Sequence, residues 1–233
     1  MNLLSEIVSA SEGRKEKEEV VLGEVERRVS TPDLRRLETV SLGVGWFWEG
    51  ESQFGSLPGL TLTQVGYAGG TTSHPTYYRL GDHTEVVRLF YDPAVTSFGK
   101  ILETFFRCHD SAARRPSQYR SLIVCSTEEQ RETAGIILGN RRGRTLTVIE
   151  EDRGFHLAEE KHQKYHFKRH PALVRCFAWE PSPTNSFVIS RLNGFLGPQG
   201  KMAPFNREWQ RLGLSKEIAE YVRAVIVGRC WCA

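Results

Sequence analysis

The stretch Leu42-Gly43-Val44-Gly45-Trp46-Phe47-Trp48-Glu49 sets the terms for the rest of the chain. It continues an apolar run from Thr39, passes through two glycines and ends in three large aromatic residues ahead of a segment with helical character. A strand, a glycine turn and a helix start in succession gather unpaired backbone N–H groups, with their partial positive charge, at one point. Such a point suits a nucleophile or an anion. Aromatic rings beside it can wall in a small apolar group. Taken alone, the stretch reads more plainly as a strand end with core aromatics.

Strand and helix patterns alternate around it. Thr39 to Phe47 reads as a central strand, and Trp48 to Leu57 as a helix stopped by Pro58 and Gly59. Leu60 to Tyr67 alternates like a strand, and Ala68-Gly69-Gly70 then permits a tight turn. In His83 to Tyr91, alternation puts Glu85 on one face with Val87 and Leu89. A carboxyl among apolar neighbours is partly desolvated, which raises its pKa and suits it to give up a proton. The plainer reading pairs Glu85 with Arg88 or His83. Ser97 is an N-cap candidate ahead of the apolar helical face Ile101, Leu102, Phe105 and Phe106, with Cys108 and His109 at that helix's end. Ser117 to Cys125 reads as a strand carrying Tyr119. Thr127 with Gln130 forms a capping-box pattern, Thr145 to Glu150 reads as a strand, and Leu157 to Tyr165 as a helix.

Composition bounds the function. Charged residues make up 25% of the 233, and a net charge of +3 is too small to argue for nucleic acid. No apolar run approaches the roughly 20 residues of a membrane span. The early segment mixes both charge signs from Glu12 to Glu19, unlike a transit peptide, so a cytoplasmic protein is expected; a monomer is expected by default. The five cysteines, Cys108, Cys125, Cys176, Cys230 and Cys232, are odd in number and fit a reducing compartment. Cys230 and Cys232 lack a second pair at zinc spacing, so no metal is expected.

The motifs carry a more specific signal. Val65-Gly66-Tyr67-Ala68-Gly69-Gly70, Gly81-Asp82-His83-Thr84-Glu85-Val86-Val87-Arg88, Ser117-Gln118-Tyr119-Arg120-Ser121 and Ala158-Glu159-Glu160-Lys161-His162-Gln163-Lys164-Tyr165 occur in this order after the Trp46 stretch. Over about residues 39–171, the chain resembles peptide methionine sulfoxide reductase A. The resemblance implies an α+β fold that reduces the S epimer of methionine sulfoxide, free or in proteins. It also implies a sulfenic acid intermediate, later cleared by a disulfide and thioredoxin, with no bound cofactor. Dithiothreitol would serve as the laboratory reductant.

Carried over by position, the resemblance assigns Phe47 and Trp48 to enclosing the substrate methyl group. Glu85 becomes the proton donor to the sulfoxide oxygen, and Tyr67 and Tyr119 hold that oxygen. The family's Gly-Cys-Phe-Trp is here Gly45-Trp46-Phe47-Trp48, so Trp46 occupies the nucleophile position. The family's acidic residue five positions before the second tyrosine is here Arg114. Indole cannot replace a thiolate. Three readings follow: a pseudoenzyme that binds methionine sulfoxide or serves as an interaction module, catalysis by another cysteine, or a selenoprotein whose UGA codon is read as Trp. Cys230 and Cys232, in a C-terminal tail, fit resolving thiols. His109 and His162 are expected to be structural.

These readings combine into a two-layer α+β sandwich with a mixed, mostly antiparallel sheet. Residues 1–37 are expected to be a charged tail, 38–171 the reductase-like domain, and 172–233 a helical extension ending in the cysteine-containing tail.

Overall fold

A computed structural model describes residues 33–180 and 182–229. Cys230, Cys232 and most of the expected N-terminal tail lie outside the described residues. Six strands form one mixed sheet: β1 (Glu38–Val44), β2 (Leu60–Ala68), β3 (Thr84–Tyr91), β4 (Ser121–Cys125), β5 (Val148–Glu151) and β6 (His156–Leu157). Their order is β5-β4-β1-β3-β2-β6. Only the β4–β5 pair is parallel, so the sheet is mixed and mostly antiparallel, as expected.

Strand β1 lies between β3 and β4, and Val40 and Leu42 are fully buried. It delivers Gly45 and then α1 (Phe47–Gly55) to the middle of the sheet. Gly45 has φ of 102°, a backbone conformation that side chains strain, so this turn requires glycine. Helix α2 (Phe98–Cys108) lays Ile101, Leu102, Phe105 and Phe106 against Val40, Leu42, Val87, Leu89 and Ile123. The opposite face, with Val86, Leu122 and Val124, packs under Phe155.

The expected caps form. The Ser97 hydroxyl accepts from the Lys100 N–H, and the Thr127 hydroxyl from the Gln130 N–H at the start of α3 (Glu128–Gly139). Gln130 reaches back to the Ser126 N–H instead of to its cap residue. The first strand ends at Val44, so Phe47 falls in the helix, and β5 begins only at Val148; two further expected elements differ in kind. Ser117–Tyr119 is a 3-10 turn closed by Tyr119 N–H to Pro116 C=O, so Tyr119 precedes the strand instead of riding on it. Residues 157–165 are not one helix. Gln163 turns inward to bond both backbone groups of Val65, and Lys164 takes a left-handed conformation. Only then does α4 (Tyr165–Lys168) begin.

That turn buries a pair. Lys164 Nζ lies 2.7 Å from Glu51 Oε1 with both side chains fully shielded, and it also donates to the Thr63 carbonyl. Burial draws the Lys164 pKa down while the Glu51 charge opposes that shift. Beyond α5 (Pro171–Cys176), helices α6 (Phe187–Leu196), α7 (Met202–Glu208) and α8 (Lys216–Arg229) form a second apolar cluster with Phe167 and Leu173. Helix α6 crosses α1 so closely that a Cβ on Gly194 would stand 2.2 Å from the Gly55 carbonyl carbon. Arg191 of α6 donates to the Gly55, Ser56 and Leu57 carbonyls at the end of α1 and forms a bidentate pair with Glu208.

Candidate active site

Helix α1 starts without a side-chain cap, because residue 46 offers an indole where a hydroxyl or carboxylate would serve. Instead, the first N–H, from Phe47, donates to Glu85 Oε2 at 3.3 Å. Gln118 Nε2 donates to Glu85 Oε1 at 2.7 Å. The plainer pairing of Glu85 does not form, since Arg88 bonds Asp152 and Ser41, and His83 bonds the Thr72 carbonyl. Glu85 is 2% exposed, and burial raises its pKa against the two donors that lower it. A carboxyl held at a helix start, out of water and inclined to stay protonated, can donate a proton to a bound oxygen.

Tyr67 comes from β2 opposite Glu85 in register, and its hydroxyl donates to Glu159 Oε2 at 2.8 Å. The other Glu159 oxygen accepts the Tyr77 N–H at 3.0 Å. Burial, then the Glu159 contact, pushes the Tyr67 pKa up. Tyr67 is therefore a neutral phenol whose proton is already engaged. Tyr119 lies nearer to solvent. Burial, then the charges of Glu85 and Tyr77, raise its pKa, while the Trp46 indole N–H at its hydroxyl works in the other direction. Glu85, Tyr67 and Tyr119 thus share one neighbourhood.

The aromatic residues divide. Phe47 is buried, with its ring 5.3 Å from His162 and 6.0 Å from Tyr67. Trp48 lies against Tyr165 at 4.9 Å. Trp46 is 51% exposed and stacks on Trp48 at 5.6 Å with planes 9° apart. The indole at the nucleophile position therefore stays out of the core and partly covers the Trp48 face. Arg114 and Arg115 are exposed in the loop beside it, and Arg115 Nη1 lies 3.4 Å from where a Cβ on Gly45 would be.

The two expected histidines and the described cysteines take structural places. His109 bonds the Phe105 carbonyl and the Ser121 hydroxyl, a structural arrangement. The His162 Nε2 is buried without a hydrogen bond, 3.8 Å from Glu159, so this histidine packs by its ring instead of by bonds. Cys108 and Cys125 are pushed up by burial to about 12 and about 11, which leaves both as inert thiols. Glu159 and Gln118, which hold Tyr67 and Glu85, were not singled out from the sequence. Among the described residues, no group of three or more His, Cys, Asp or Glu is placed to hold a metal, and no helix is long and apolar enough to cross a membrane.

An α+β fold that runs its central strand through a glycine turn into a helix start, faced by a buried carboxyl and two tyrosines, fits the sulfoxide-reductase class that the sequence resembles. Known proteins agree. The family model "Peptide methionine sulfoxide reductase" matches residues 38–190. A Drosophila melanogaster peptide methionine sulfoxide reductase is 36% identical over 191 residues, covering 78% of each chain. Peptide methionine sulfoxide reductase A5 of Arabidopsis thaliana is 34% identical over 180 residues, covering 72% of this chain and 70% of that one. The solved methionine sulfoxide reductase A of Corynebacterium diphtheriae superposes with a TM-score of 0.55 at 27% identity, over 67% of this chain and 90% of that one. The chain belongs to the peptide methionine sulfoxide reductase family.

Proposed function

We propose that this site recognises methionine S-sulfoxide and that residue 46 alone decides whether it turns over. The half-exposed position of the residue 46 side chain carries this reading: the indole rests on Trp48 and Tyr119, while Phe47 and Glu85 are built into the core. A selenolate or thiolate there would attack the sulfoxide sulfur; the S–O bond breaks as the oxygen passes to the chalcogen, leaving a selenenic or sulfenic acid and releasing methionine. Glu85 protonates the departing oxygen, and Tyr119 holds it. Tyr67 joins in by turning its proton away from Glu159. Cys230 or Cys232 then displaces water from the oxidised chalcogen, and thioredoxin reduces the resulting bond. With Trp46, the sulfoxide is held but oxygen transfer stops, since the members of such a constellation act as a unit. The stack of Trp46 on Trp48 favours a second reading, an interaction module, because it covers part of the methyl slot.

The test is reduction of a dabsyl-methionine S-sulfoxide with dithiothreitol by the parent and by Trp46→Cys. The parent should stay at background and the variant should exceed it by at least about 1,000-fold. An inactive, folded Trp46→Cys sinks the reading. Turnover by the parent that disappears when Cys230 and Cys232 become serine would transfer the role of nucleophile to the tail. The genomic codon, UGA or UGG, separates selenoenzyme from binder.

A further inference from the structure

Three cations lie at this site without a carboxylate partner among the described residues. Arg114 and Arg115 are exposed on one loop, and the Arg115 guanidinium reaches over Gly45 beside Trp46. Lys161 comes from a different segment. Its ammonium lies 5.0 Å from the Tyr78 ring centroid and 5.8 Å from that of Tyr77. Tyr77 in turn packs on His162, which packs on Phe47. Two loops thus bring positive charge to groups that pack about the Gly45–Phe47 segment.

The carboxylates nearby keep their charge, but among the described residues none forms an ion pair with these cations. Both oxygens of Glu159 are taken, by Tyr67 and by Tyr77. Asp110, in the arginine loop, accepts the Ala112 N–H. Glu49, the exposed acid in the first turn of α1, makes no ion pair with any of the three. Arg114 also stands where the family has an acid, so the charge there is reversed. A surface cation without a partner is free to pair with an incoming anion. Several of them about one cleft raise both encounter rate and affinity for acidic ligands.

We infer that the protein ligand of this site is methionine sulfoxide within an acidic segment of polypeptide, with Arg115 and Lys161 meeting carboxylates on either side of the oxidised residue. This rests on the sulfoxide-recognition reading and deepens it by naming the substrate class.

The experiment uses the full chain with Trp46 in place, so it does not depend on turnover. Binding is measured by fluorescence anisotropy for a labelled peptide with one methionine S-sulfoxide flanked by glutamates, for the same peptide with glutamines, and for both with reduced methionine. The glutamate sulfoxide peptide should bind about tenfold tighter than the glutamine one, the scale of a pair of exposed ion pairs. That margin should close in Arg115→Gln/Lys161→Gln and in roughly 0.5 M salt. Equal binding of the two sulfoxide peptides overturns the inference and leaves sulfoxide recognition standing. A margin that survives in the double variant overturns the assignment to Arg115 and Lys161. Equal binding of sulfoxide and reduced peptides overturns the underlying reading, and the inference with it.

Discussion

At the scale of single residues, a buried acid, Glu85, faces the helix start that follows Trp46. Burial raises the Glu85 pKa, so its proton is present below that value and lost as pH rises through it. In Trp46→Cys, the rate should therefore fall with rising pH along a limb that belongs to Glu85. Adding Glu85→Gln should cut the rate about 100-fold and abolish the limb, as a pH–rate profile would reveal. The same shift acts on stability. A carboxyl with a raised folded pKa contributes fully below its unfolded pKa, and this contribution fades as pH rises through the folded value. Denaturation midpoints should therefore decline from mildly acidic to neutral pH more in the parent than in Glu85→Gln. A parallel decline in both proteins would remove Glu85 as the cause. Phe47, Trp48, Tyr67 and Glu85 were legible in the sequence because each sits in a contiguous motif. Their holders were not. Gln118 meets Glu85 across 33 residues and Glu159 meets Tyr67 across 92, so no local spacing signals either contact.

At the scale of elements, periodicity and capping chemistry located β2, β3, α2 and α3 well. They failed where a side chain overrode local propensity. Gln163 and Lys164 turn inward to bond Val65, Thr63 and Glu51, and the helix suggested by the preceding residues does not form. That turn can be tested through its ion pair. Lys164→Met leaves Glu51 buried without its partner and should cost about 3–5 kcal/mol in urea denaturation. The double variant Glu51→Gln/Lys164→Met should recover a large part of that loss, because neither charge remains to be desolvated. If the two single changes simply add, the pair is not coupled as the geometry requires.

At the scale of the whole molecule, two apolar clusters meet through α6. Leu192, Phe195 and Leu196 pack into the helical cluster, while Asn193 donates to Glu51 and Arg191 closes the end of α1. The helix that begins at the site is thus clamped from behind by the C-terminal helices. A chain ended at residue 180 loses that clamp and bares Phe167 and Leu173. It should give no cooperative thermal transition by circular dichroism, while the full chain gives one. A sharp transition from the shortened chain would mean that the sheet supports α1 unaided. The sequence suggested an extension after Pro171 that docks on the core, but not that it docks on α1, because Gly55 and Gly194 carry no side chain to announce a contact.

The half-exposed setting of residue 46 also bears on how such a protein can change over generations. The codons for tryptophan, selenocysteine and cysteine differ only in their third base. At a packed position, moving among an indole, a selenol and a thiol would pass through misfolded intermediates. Here the sheet, the glycine turn and the Glu85 contact to the Phe47 N–H are made without the residue 46 side chain, so each replacement should leave them as they are. A lineage could therefore lose its chemistry and regain it one nucleotide at a time, with a folded protein at every step.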